Sequence, residues 1–220
     1  MKKTKFSGPL LTLAAVAVLG GGIWVANVAQ EDEPTAPAPI AQSTASPAPA
    51  PPPAPITPPP AAFPAKANYV GKIPTASGVI TLEVTVDGQK AIAYACDGNT
   101  VEVWLRGAAT NGLLALANKD KTSRLDARLD GDSLAGKLTI GQKSWDFTAT
   151  PVAPPGGLYV YESDGVRNSW IVDDSGAVTG VQRRADGATG PAPVLEIDGT
   201  AVLDGRKVTA IKVEGDGDVN

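Results

Sequence analysis

Three patterns of apolar and polar positions follow one another along the chain. The first does not alternate. After Lys2, Lys3 and Lys5 no charged residue occurs from Phe6 to Gln30, and Glu31, Asp32 and Glu33 come directly after. The apolar heart of this stretch, Leu10 to Val28, matches the ~20 residues of helix that cross a hydrocarbon core. Basic residues before the span and acidic ones after it place the N-terminus in the cytoplasm and everything beyond Glu31 outside. A cleaved signal peptide would end in a small-x-small site. Here cutting after Ala29 puts Asn27 at the third position before the cut, and cutting after Ala26 puts Trp24 there. The sequence therefore reads as an uncleaved signal-anchor. No Cys comes just after the span to carry a lipid, and Trp24 sits near its outer end, where an indole favours the interface.

The second pattern is compositional. Residues 34 to 64 hold 13 of the 20 prolines and 9 alanines, with almost no charge. Proline removes backbone donors and fixes φ, so this segment cannot build a sheet or a packed core. It reads as a disordered, polyproline-II-like spacer that holds the C-terminal part of the chain away from the membrane.

The third pattern is strict alternation broken by turns. Ile80 to Val86, Val101 to Leu105, Leu125 to Leu129, Leu134 to Ile140, Trp145 to Ala149 and Lys207 to Val213 alternate apolar with polar residues. Asp-Gly pairs begin at Asp87, Asp97, Asp130, Asp164, Asp186, Asp198, Asp204 and Asp216. Such pairs favour the positive φ of tight hairpins. Turns about every ten residues predict an all-β extracytoplasmic domain of about twelve short strands, an antiparallel sandwich or barrel. Pro151-Val-Ala-Pro-Pro155 marks a candidate division between two sub-sheets. The expected organisation is a cytoplasmic end at 1–5, a transmembrane helix at 6–30, a Pro/Ala-rich linker at 31–67, the all-β domain at 68–214 and an acidic tail at 215–220.

Composition narrows the chemistry. The 220 residues contain no His and one Cys, and the formal net charge is −4. No imidazole triad, Cys-His dyad, intrachain disulfide or cysteine zinc cluster is available. The charge gives no reason to expect nucleic acid as a partner. Gly131-Asp-Ser-Leu-Ala-Gly-Lys137 has the glycine-lysine frame of a phosphate loop, but Leu138 stands where Ser or Thr should hold Mg²⁺, and a strand pattern comes next instead of a helix. A hairpin turn is the better reading. Asp216-Gly-Asp218-Val-Asn220 copies the first ligand positions of a calcium loop without the distal Glu, so loose cation binding is the most expected of it. Asp97 and Glu102 lie close in sequence on a turn and the next strand, as an acid/base pair would, yet most Asp here serve as turn formers. Cys96 ends an apolar run and reads as a buried, inert thiol. No catalytic, metal or cofactor-binding residue is singled out, and no cofactor is expected. Trp104, Trp145, Trp170, Tyr159 and Tyr161 are the candidates for an interaction surface; core anchoring is the competing role for the tryptophans.

Tyr94-Ala-Cys-Asp-Gly98, Val101-Glu-Val-Trp-Leu-Arg-Gly107, Leu134-Ala-Gly-Lys-Leu138, Trp145-Asp-Phe147 and Pro155-Gly-Gly-Leu-Tyr159 occur in that order. Together they resemble a family of membrane-anchored envelope proteins of mycobacteria and related actinobacteria, over roughly Val79 to Val181. The resemblance implies one N-terminal span, a Pro/Ala-rich stretch and this extracytoplasmic domain. It brings no activity or catalytic residue. Where that family often has Arg after Gly-Leu-Tyr, this chain has Val160.

The expected function is a non-catalytic interaction or scaffolding module of the cell envelope, with another envelope or membrane protein as partner and edge strands and hairpin loops as its contact surface. The alternative is a β domain that binds a cell-wall lipid or glycan in a barrel mouth or between sheets. A wall-polymer hydrolase using carboxylates is the third reading.

Overall fold

The computed structural model describes residues 62–215, all within the second of two compact units, Pro55–Asn220. The expected cytoplasmic end, the 6–30 span, most of the linker and the tail beyond Gly215 lie outside the described residues. Among the described residues no helix is long and apolar enough to cross a membrane.

The domain is all-β. Eight strands run up and down in chain order: β1 (Lys66–Thr75), β2 (Gly78–Asp87), β3 (Lys90–Cys96), β4 (Glu102–Thr110), β5 (Leu113–Ala117), β6 (Ser123–Asp130), β7 (Ser133–Ile140) and β8 (Lys143–Pro151). Each pairs antiparallel with the next, and β1 pairs with β8 through Tyr69 opposite Pro151, which closes the barrel. The choice between sandwich and barrel is thus settled by one closing ladder. Inward positions carry Tyr69, Ile73, Leu82, Val84, Leu105, Leu125, Leu134 and Leu138, each at most 1% exposed. An eight-stranded barrel is just wide enough for side chains to fill, and here they fill it. Closure needs tight approaches between strands. A Cβ on Gly107 would run into the Ala115 carbonyl, and one on Gly136 into the Asp126 carbonyl. Only glycine permits those contacts.

The proline run after β8 divides the domain where the sequence suggested. Beyond it lie β9 (Gly157–Ser163), β10 (Val166–Val172), β11 (Val178–Arg183) and β12 (Thr189–Pro191), then the hairpin β13 (Thr200–Leu203) and β14 (Arg206–Thr209), and finally β15 (Ile211–Lys212). A five-stranded sheet forms in the order β12-β11-β10-β9-β15, with β13–β14 as a separate pair. Fifteen strands replace the expected twelve or so, because elements of two to four residues are too short to show alternation. The run Lys207–Val213 also serves two sheets. Its first half pairs with β13, and Ile211 and Lys212 pair with β9.

Three apolar layers result. The first is the barrel interior. The second joins the outer face of β1–β4 to the five-stranded sheet through Val70, Ile92, Tyr94, Leu158, Ile171 and Val181. The third lies on the far side of that sheet, where Leu195, Ala201 and Val208 cover Trp170. Strands β2 and β3 are therefore buried on both faces. By pattern alone the Thr81-Glu83-Thr85 face belongs to water; the second sheet buries it.

Candidate functional site

The five aromatic candidates are not brought to one surface. Trp170 is 1% exposed. It stands opposite Tyr159 on the neighbouring strand, and with Tyr159 and Tyr161 it packs under the C-terminal hairpin. The Trp170 indole donates to the Pro193 carbonyl at 2.7 Å, so its polar end is satisfied inside the protein. Trp170 is accordingly a core anchor, a correction to its place among the surface candidates, and the two half-buried tyrosines belong largely to the same packing. The Tyr159 hydroxyl donates to the Pro155 carbonyl at 2.8 Å.

Trp104 lies in the joint between barrel and sheet, its ring 4.6 Å from that of Tyr94. It belongs to a polar cluster around Glu102, whose side chain is fully buried. Glu102 Oε1 accepts from the Trp104 indole at 3.2 Å and from Arg167 Nη2 at 3.3 Å. Glu102 Oε2 accepts from Arg183 Nε. The Arg167 guanidinium also sits 5.3 Å from the centre of the Trp104 ring, within cation–π range. A buried carboxylate held by two guanidinium groups is a clamp: it fixes the register of the sheet on the barrel.

Asp97 does not join Glu102. Its Oδ1 accepts the amides of Asn99, Thr100 and Val101 at 2.8, 2.8 and 2.9 Å. It organises its own turn, and the two carboxylates have separate structural occupations. Among the described residues no group of three His, Cys, Asp or Glu is placed to hold a metal ion. Cys96 is fully buried, and burial pushes its thiol up to about 12. The glycine-lysine frame at 131–137 is the β6–β7 turn leading into a strand.

A second buried carboxylate escaped sequence reasoning. Glu83 is 0% exposed on the outer face of β2, opposite Tyr94. Burial raises its pKa to about 8, against the opposing pull of Thr85 and the more distant Lys212. Thr85 Oγ1 lies 2.8 Å from Glu83 Oε1 and 3.1 Å from Asn68 Oδ1. A hydroxyl carries one proton, so it cannot donate to both. A protonated Glu83 donating to Thr85, which then donates to Asn68, gives each of the two contacts its own proton. Glu83 Oε2 has no partner, which also suits the neutral form.

Trp145 stands at an open, largely apolar site. The turns β1–β2, β3–β4 and β7–β8 meet at one end of the barrel around a pocket of about 350 Å³. Ile80, Val101, Ile140 and Trp145 form its apolar wall, and Thr75, Ser77, Asp97, Gln142 and Lys143 its polar edge. The chain enters at the opposite end, where the Ala65 carbonyl accepts the Gly88 amide and Phe63 packs on the barrel core. A smaller pocket of about 150 Å³ lies between the five-stranded sheet and the C-terminal hairpin, beside Tyr161, Asn168 and Arg206.

Comparison with protein-family models, with curated proteins and with solved structures gives no match.

Proposed function

We propose that the chain is a membrane-anchored cell-envelope protein whose outer β domain is a non-catalytic binding module, and that the mouth of its barrel takes a lipid- or glycan-derived ligand. The membrane and envelope part of this reading rests on the apolar stretch 6–30, the proline spacer and the resemblance to actinobacterial envelope proteins. The ligand part rests on one observation: an open pocket of about 350 Å³, with a tryptophan in its wall, above a barrel whose interior is filled. That volume is at the small end of ligand sites. A packed interior leaves no room to swallow a long chain, so recognition is at the rim.

Scaffolding through sheet edges loses its support. Barrel closure leaves no edge there, and the edges of the five-stranded sheet are β12 and β15, three and two residues long. Scaffolding keeps one specific observation. Val194 and Val202 are 76% and 60% exposed on the C-terminal segment, flanking the bridge between Leu195 and Ala201.

A photoreactive residue placed at Gln142 in intact cells should trap an adduct of small mass, and one at Val202 should trap nothing defined. A protein-sized adduct at Val202 with none at Gln142 would transfer the function to scaffolding.

A further inference from the structure

The pocket at the barrel mouth has a charge character as well as an apolar wall. Lys143 sits on its edge, and among the described residues it makes no ion pair. Lys119 and Lys121, both exposed and also without an ion pair there, lie on the β5–β6 loop at the same end. That loop is tied to the β7–β8 turn by the Gly141 amide donating to the Thr122 carbonyl at 3.0 Å.

Two carboxylates at this end, Asp97 in the pocket lining and Asp120 on the β5–β6 loop, are held by hydrogen bonds within their own turns. Asp97 is committed to three turn amides. Asp120 accepts the Thr122 hydroxyl at 2.7 Å and its amide at 3.2 Å. Four other lysines of the domain do pair, while Lys90 at the opposite end of the barrel and Lys212 in the five-stranded sheet make no ion pair either among the described residues. Lys66 pairs with Asp87 and Glu214, Lys72 with Asp173, Lys137 with Asp146 and Lys207 with Asp198. In a chain of net charge −4, the mouth is a place where cations stand without carboxylate partners. An apolar wall beside such a cation selects a ligand with a short greasy body and one anionic group.

We infer that the barrel mouth binds a small anionic amphiphile, its apolar body against Trp145, Ile140, Ile80 and Val101 and its carboxylate or phosphate at Lys143. This rests on the mouth being the binding surface and adds the charge of its ligand. The same chemistry is offered by a free medium-chain fatty acid and by the anionic headgroup region of a lipid.

The test uses the full chain in phosphatidylcholine nanodiscs and reads contact quenching of tryptophan fluorescence by bromine. The probes are ω-bromooctanoate, ω-bromooctyl phosphate and ω-bromooctanol. Trp145→Phe supplies the background from the other tryptophans. Saturable quenching that depends on Trp145 should appear with both anions at concentrations at least tenfold below the alcohol. Lys143→Ala should weaken the anions about tenfold and leave the alcohol unchanged. Replacing part of the phosphatidylcholine with phosphatidylglycerol separates the sources: a rightward shift of the anion curves points to a lipid headgroup, and unchanged curves point to a free acid. Equal binding of alcohol and anions overturns the charge selection while leaving the mouth as the binding surface. No Trp145-dependent saturation with any probe removes both.

Discussion

Glu83 holds a proton at a pH where an exposed glutamate would have lost it, and this gives the protein a pH signature. In the unfolded chain the group titrates near 4.5; in the folded domain it titrates at about 8. Between those values the folded state binds more proton, so each rise in pH favours unfolding. Stability should fall from about pH 4.5 to about pH 8 and then level off, by on the order of 3–5 kcal/mol as an upper bound. Asp173 acts in the opposite sense at lower pH. Burial would raise its pKa, but Lys72, Ser175 and the Ala177 amide outweigh burial and bring it to about 2. Its contribution is complete above about 3.8 and is lost as pH drops toward 2. Urea midpoints at pH 5, 7 and 9 should decline in that order, and Glu83→Gln should flatten the decline; a variant that tracks the parent at every pH would refute the neutral carboxyl. Glu102 is the contrasting case. Glu102→Ala leaves two guanidinium groups facing each other in the joint. The expected loss is about 2–3 kcal/mol, less than for a fully buried pair, because the Arg183 side chain is 39% exposed and can recover water.

At the scale of elements, the joint between barrel and sheet decides which residues are structural. The alternation of β2 was legible, and so was the continuous apolar character of Ala91 to Cys96. That the Thr-Glu-Thr face of β2 is buried was not, because periodicity reports one partner layer and cannot show a second. The Asp-Gly pairs located the hairpins well, since the positive φ they favour is a local property. The split of Lys207–Val213 between two sheets was not legible, because pairing partners are distant in sequence. Gly180 carries a prediction at this scale. A Cβ there would collide with Cδ1 of Trp170 and lie 3.1 Å from the Ala192 Cβ. Gly180→Ala should lower the thermal midpoint by several degrees, corresponding to about 1–3 kcal/mol of overpacking, and should raise the indole's exposure to a collisional quencher. An unchanged midpoint and unchanged quenching would show that the hairpin yields freely.

At the scale of the whole molecule, the candidate site was legible only in part. Trp145 was among the aromatic candidates, but nothing local distinguished it from Trp104 or Trp170. Lys143 lies two residues from Trp145 on the same strand, but Ile80 and Val101 come from other parts of the chain, and closure between β1 and β8 is what gathers them. The anchoring proposal makes its own prediction. Protease added to unbroken protoplasts should digest the β domain, leaving a membrane-bound N-terminal fragment; a domain protected until lysis would reverse the topology and with it the envelope role.

Local chemistry was enough to establish the all-β class, the hairpin turns, the division after the proline run and the exclusion of imidazole and multi-cysteine mechanisms. These depend on φ preferences, alternation and composition, each complete within a few residues. Closure of eight strands into a filled barrel, the burial of Glu83 and Glu102 beneath a second sheet, the withdrawal of Trp170 into a core and the assembly of a mouth around Trp145 were decided by tertiary structure. They depend on which surfaces meet, and the packing of distant strands alone determines that.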